Sequence, residues 1–163
     1  MTRINESDLV PLVAEAGPAL VLFARQWTLY PEDALQEALI ELATKDPAPV
    51  SPKAWLFRVV RNKAMNLARS ERRRAKHETL AAMQTGWFEP NLEQEVDAKT
   101  VSAWIEHLPD LPRQIVVARI WGELTFEQIG DLVDRPTATV FRVYRESLET
   151  IRQQMNQSEG SRG

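Results

Sequence analysis

The chain has 163 residues, 44% of them hydrophobic, enough for one ordinary domain or two small ones and against wholesale disorder. It has no cysteine and only two histidines, His77 and His107, far apart, which excludes disulfides, thiolate metal sites and a histidine-based metal cluster. The net charge of −3 conceals a segregation: residues 1–50 carry −5, 51–76 carry +8, 77–112 carry −6, and 113–163 are neutral.

A basic block between acidic flanks suits either a polyanion partner or a solvated helix end. No apolar run near 18 residues stands out, so no membrane insertion is expected. The start, MTRINESDLV, lacks the basic-then-apolar order of a signal peptide, and the absence of cysteine fits a reducing cytoplasm. No Gly-rich phosphate loop appears, and no nucleophile–base pair, so the chain is read as a non-enzyme without metal or cofactor.

The pattern is helical nearly throughout. Residues 8–28 place Leu9, Leu12, Val13, Ala16, Leu20, Phe23, Ala24 and Trp27 mostly three or four apart. Gly17-Pro18 predicts a break or kink. Pro31 suits a first helical position, and Glu32 and Asp33 suit the positive end of a helix running to about Ala43, with Leu35, Leu39 and Leu42 inward. KDPAPVSP is a loop. Ser51 then caps a helix that starts at Pro52 and runs to about Arg74.

Residues 77–98, broken by Gly86 and Pro90, read as an acidic linker. A second helical unit starts near Leu92–Lys99. Pro109 and Pro112 flank a turn before a helix at 113–121, with Gly122 as its left-handed terminator. Thr125 caps a helix to about Val133, Asp134-Arg135-Pro136 turns the chain, and the last helix spans Thr137 to about Met155. The expected architecture is all-α: a helical domain over 1–76, the linker 77–98, a second domain over 99–157, and a disordered tail at 158–163.

Two constellations carry chemistry. On the helix from Pro52, at 100° per residue, Arg58, Arg61, Asn62, Met65, Asn66 and Arg69 share one sector, while Leu56, Val60, Ala64 and Leu67 lie opposite. Asparagine is a poor helix former. Two on one basic face suggest amides used for hydrogen bonds to base edges, although ordinary surface residues have the same pattern. In the second constellation, Thr125 to Val133, a short turn and Val140 have helix-turn-helix spacing. Gly130 inside a helix costs about 1 kcal/mol against Ala, which close approach of the next element would explain. Ile129, Val133, Val140 and Tyr144 are then core, and Thr137, Thr139, Arg142 and Arg145 face outward; a plain antiparallel helix pair is the alternative. By pattern alone, Asp33, Gln36, Glu37 and Glu41 form a solvated acidic face.

In this order the pieces resemble the extracytoplasmic-function (ECF) group of bacterial sigma factors, of the sigma-70 family, which contain little more than regions 2 and 4. PEDALQEALIELA (31–43) is similar to region 2.2. PKAWLFRVVRNKAMNLARSERRR (52–74) is similar to regions 2.3 and 2.4, and residues 108–152 are similar to region 4. The resemblance implies a sigma region 2 domain and a region 4 helix-turn-helix domain. It implies that Asp33, Gln36, Glu37 and Glu41 dock on core RNA polymerase, at the β′ coiled coil, with the β flap as a further contact. Asn62 and Asn66 match asparagines that capture unpaired bases of the minus-ten element. Arg58, Arg61, Lys63, Arg69, Arg72, Arg73 and Arg74 would follow the backbone of the opening duplex. Thr137, Thr139, Arg142 and Arg145 fall on the helix that reads the minus-thirty-five element. The 22 residues of 77–98 span up to about 70 Å at roughly 3.3 Å each, against about 58 Å for a spacer of about 17 base pairs.

The recognition helix departs from the family, with Phe141, Val143, Glu146 and Leu148 where basic residues are usual. This predicts weaker DNA binding by region 4 than by region 2. Two alternatives stay open: a helix-turn-helix regulator acting without polymerase, and a sigma-derived protein that titrates an anti-sigma factor. An anti-sigma factor is also a candidate partner of the sigma factor itself, and a monomer is the expected free state.

Overall fold

The computed structural model describes residues 2–75 and 103–160, and among these no strand occurs. The chain divides into two compact units, Met1–Thr85 and Gly86–Gly163. The predicted linker at 77–98 and the start of the second helical unit lie outside the described residues.

The first unit packs three helices, α1 (Glu6–Ala24), α2 (Pro31–Thr44) and α3 (Pro52–Ala75). Helix α1 runs unbroken through Pro11 and Pro18, so the break expected at Gly17-Pro18 does not form. Pro18 is on the exposed side, as is Ala14, whose carbonyl loses its helical partner but can reach water. Neighbouring Ala16, Ala19, Leu20 and Phe23 are held in the core. Contrary to the sequence expectation, the 19-residue α1 is apolar enough by length and composition to cross a membrane, its most apolar 18-residue window having a mean hydropathy of 1.5. In the fold its apolar side closes the bundle instead.

Helix α2 buries Pro31, Ala34, Ala38 and Leu42. Leu35 and Leu39, expected inward, are only half-buried. The alanine ridge at i, i+4 takes their place, because small residues let helix backbones approach closely. Helix α3 buries Leu56, Phe57, Val60, Ala64 and Ala68, with Leu67 half-buried. Phe23 sits edge-on to both Phe57 (centroids 5.1 Å apart) and Trp27 (5.0 Å). Phe23 and Phe57 are fully buried, and each contributes roughly 1.5–3 kcal/mol. The Ala54 N–H donates to Ser51 Oγ at 3.4 Å, as the expected cap.

The second unit contains a helical stretch at 103–106, then α4 (Asp110–Ile120), α5 (Phe126–Val133) and α6 (Thr137–Gly160). Helix α4 starts three residues earlier than expected. Pro109 is its N-cap and Pro112 lies in its first turn, where a missing N–H removes no helical bond. The left-handed residue beyond α4 is Glu123 (φ 55°), not Gly122. The Gly122 N–H still bonds back to the Val117 carbonyl (3.2 Å), so the chain reverses one residue later. Helix α6 continues to Gly160, past the expected end at Met155 and into the expected disordered tail. No glycine or proline interrupts 138–159, so nothing local stops the helix. Residues 161–163 lie outside the described residues.

Candidate nucleic-acid interface

The exposed face of α3 follows from helical period. Leu56, Val60, Ala64 and Ala68 are buried at intervals of four, and that forces Arg58, Asn62, Asn66 and Arg69 outward; all four are exposed. Arg72, Arg73 and Arg74 are exposed in the last turn, where cations also suit the helix dipole. The structure thus brings the two asparagine amides and five guanidinium groups onto the free side and end of one rigid helix. Arg61 and Lys63 are half-buried at the margins of this face. Burial pulls the Arg61 pKa below its ordinary value. Trp55 is half-buried beside the Lys45 ammonium, 5.9 Å from the ring centroid.

On α2, Asp33, Gln36, Glu37 and Glu41 are all exposed, as expected. The Glu41 carboxylate is tied to Lys63, Oε1 to Nζ, at 2.6 Å. That hydrogen bond, with the charges of Glu41 and Glu37, holds the Lys63 ammonium above the usual lysine pKa. Sequence reasoning missed Ile40, which is 59% exposed in the sector of Asp33 and Glu37. Its departure from the buried Ala34, Ala38 and Leu42 spacing is the signal that could have found it.

Sequence reasoning also missed Glu71, the one acid in the basic block. The buried Thr28 hydroxyl donates to Glu71 Oε1, and the Leu29 N–H donates to the same oxygen at 3.3 Å. The Tyr30 N–H donates in turn to Thr28 Oγ1 at 3.0 Å. The corner between α1 and α2 is thereby fastened to the basic end of α3.

In the second unit, the Thr125 hydroxyl accepts from the Gln128 N–H and the Gln128 side chain accepts from the Thr125 N–H, both at 3.0 Å, a closed capping box. Asp134 ends α5 in the left-handed conformation (φ 57°), and the Arg135 N–H bonds to the Gly130 carbonyl at 3.0 Å. A Cβ on Gly130 would stand 2.7 Å from the Arg135 carbonyl oxygen. The close approach expected at this glycine is real, and the turn backbone makes it. Ile129, Val133 and Val140 are core; Tyr144 is half-buried against Phe126, and Ser147 and Ile151 are the buried residues further along α6.

Of the α6 residues expected at DNA, Thr137, Arg142 and Arg145 are exposed and Thr139 is half-buried. Arg142 pairs with Glu146 at 3.4 Å, and the Arg145 guanidinium lies 5.7 Å from the Phe141 ring. Phe141 and Leu148 are also exposed, so the departures seen in sequence stand on the outer surface of this helix, whereas Val143 is half-buried. Arg119 is committed internally: it covers the Phe126 ring at 4.2 Å and donates to the Leu124 carbonyl at 2.9 Å. Among the described residues, no cluster of three or more His, Cys, Asp or Glu is disposed to hold a metal ion.

Two family models match the chain: Sigma-70 region 2 over residues 12–74 and Sigma-70, region 4 over residues 104–153. Together they cover more than half of it. The structure is similar to that of the sigma factor RpoE from Bartonella quintana, solved in complex with the anti-sigma factor NepR. The TM-score is 0.69 at 16% identity, over 92% of this chain and 98% of that one. It is also similar to CnrH in complex with the cytosolic domain of CnrY, with a TM-score of 0.59 at 18% identity over 93% and 90%. No curated protein sequence matches the chain significantly.

Proposed function

The chain is an RNA polymerase sigma factor of the sigma-70 family, carrying regions 2 and 4, and from this premise we propose that it binds core polymerase through the acidic face of α2 and promoter DNA through the outer face of α3. The observation that carries the reading is the exposed row Arg58, Asn62, Asn66 and Arg69, continued by Arg72 to Arg74. Guanidinium groups hold phosphate and fix the strand, with an affinity that falls as salt rises. The asparagine amides donate to and accept from the edges of bases taken out of the stack. Asp33, Gln36, Glu37 and Glu41, with Ile40 among them, present an acidic surface with an apolar centre to the β′ coiled coil. The protein acts as a non-enzymatic specificity subunit in the cytoplasm, where polymerase works.

Region 4 adds the weaker DNA contact, through Thr137, Thr139, Arg142 and Arg145. A second reading, capture of an anti-sigma factor, is favoured by the exposed Phe141 and Leu148 beside these arginines. It is also in keeping with the anti-sigma factor bound in the RpoE structure.

The test is co-elution of the full chain with bacterial core RNA polymerase, with Glu37→Arg as the control. Binding that Glu37→Arg abolishes is the expected result. A chain that binds duplex DNA but not core polymerase would instead be a free regulator.

A further inference from the structure

The basic end of α3 presents a problem of self-repulsion. Arg69, Arg72 and Arg73 are spaced three and four apart, and Arg74 follows directly; like charges at these spacings destabilise a helix. The last buried apolar residue of α3 is Ala68, so the run of arginines extends beyond the apolar core. Glu71, in the middle of that run, spends its carboxylate on the Thr28 hydroxyl and the Leu29 N–H rather than on any of the four arginines, and Thr28 is buried.

We propose that Glu71 and Thr28 are positioning residues for DNA binding: they lock the arginine-bearing last turns of α3 onto the α1–α2 corner, so that Arg69 and Arg72 to Arg74 meet phosphate as a fixed array. This rests on the reading of α3 as the DNA face. An acid next to phosphate-binding arginines is electrostatically unfavourable for DNA, so its local charge and its anchoring act in opposite directions. That opposition makes the two roles separable. Charge alone predicts that any neutral substitution of Glu71 tightens DNA binding and that substitutions of Thr28 change nothing. Anchoring predicts the reverse for variants that lose the hydrogen bonds. Glu71→Gln keeps an acceptor oxygen for Thr28 and Leu29 while removing the charge.

The experiment measures binding of a fluorescent bubble duplex of mixed sequence by the full chain assembled with bacterial core RNA polymerase, across a salt series, at a temperature where every variant is folded by circular dichroism. Glu71→Ala and Thr28→Ala are each expected to weaken binding by about threefold to tenfold, with a double variant no worse than the stronger single one. Glu71→Gln and Thr28→Ser are expected to bind at least nearly as tightly as the parent. Core assembly is expected to be unchanged in all four, because the α2 face is untouched. Tighter binding by Glu71→Ala, or no effect of Thr28→Ala, overturns the anchoring role. The control Arg72→Ala/Arg73→Ala/Arg74→Ala separates this from the reading beneath it. If that triple variant binds like the parent, or the parent itself does not bind, the DNA face is wrong and the anchor falls with it.

Discussion

Lys63 on α3 and Glu41 on α2 form an ion pair at 2.6 Å, so a charge contact joins the helix proposed to meet DNA to the helix proposed to meet polymerase at their common edge. Both side chains are partly exposed, and such pairs contribute below about 1 kcal/mol. A double-mutant cycle of Glu41→Ala and Lys63→Ala in urea unfolding is expected to give a coupling of that size at low salt, vanishing near 1 M salt. The pH dependence has a definite sign. The folded pKa of Lys63 is raised, so its contribution is complete below the ordinary lysine pKa and is lost only as pH rises through the higher, folded value. Lys63→Ala should therefore cost the same at about pH 7 as at about pH 9, measured by urea midpoint.

The pair also ranks the acidic residues. Glu41 already has a cation, whereas Glu37 acts on Lys63 only at a distance. Glu37→Ala is expected to weaken core polymerase binding by about tenfold and Glu41→Ala by no more than about threefold, measured by fluorescence anisotropy of the labelled chain.

Gly17 in α1 and Gly130 in α5 make opposite predictions for the same substitution. At Gly130 a Cβ would collide with backbone, 2.7 Å from the Arg135 carbonyl oxygen. Gly130→Ala should destabilise by about 1–3 kcal/mol despite the better helix propensity of alanine. At Gly17 the nearest atom would be Val13 Cγ1 at 3.8 Å, ordinary contact. Gly17→Ala should stabilise by about 0.5–1 kcal/mol. Thermal unfolding of the two variants checks both signs.

Thr125 holds the entry to α5 through a closed capping box. Thr125→Ala should cost about 1 kcal/mol and Thr125→Ser much less, read from urea denaturation.

For the DNA face, Asn62→Ala is expected to impair opening of a duplex promoter while leaving core binding intact, as followed by permanganate reactivity of unpaired thymines. Arg72→Ala/Arg73→Ala/Arg74→Ala should lower the slope of log affinity against log salt by up to about 3, since each phosphate contact releases roughly 0.9 counterion.

Much of this arrangement is legible in the chain because it is local. Pro31, Ser51-Pro52 and Thr125 announce helix starts, and the four-residue spacing of Leu56, Val60 and Ala64 already places Asn62 and Asn66 outside. Other features depend on residues far apart in sequence. Nothing near Glu71 reveals that its partner is Thr28, and nothing in α2 or α3 alone says that Glu41 and Lys63 meet. On α2, Leu42 lies inward as its pattern predicts, but Leu35 and Leu39 give way to Ala34 and Ala38, because close packing selects small residues where hydrophobicity alone favours leucine. Gly122 does not take the left-handed position because a local stop signal biases the chain without compelling it, whereas α6 runs on to Gly160 because no glycine or proline stops it.

The apolar side of α1 also has a consequence in time. It is completed by α2 and α3, which follow it in the chain, so on the ribosome its partners are synthesised only after α1 itself. Roughly fifty residues separate the end of α1 from the end of α3, about 3–10 s of synthesis at usual bacterial rates. Throughout that interval the nascent chain carries this apolar helix-forming segment without its complete cover. Newly made protein, more than the finished fold, is therefore the form most exposed to chaperones and proteases.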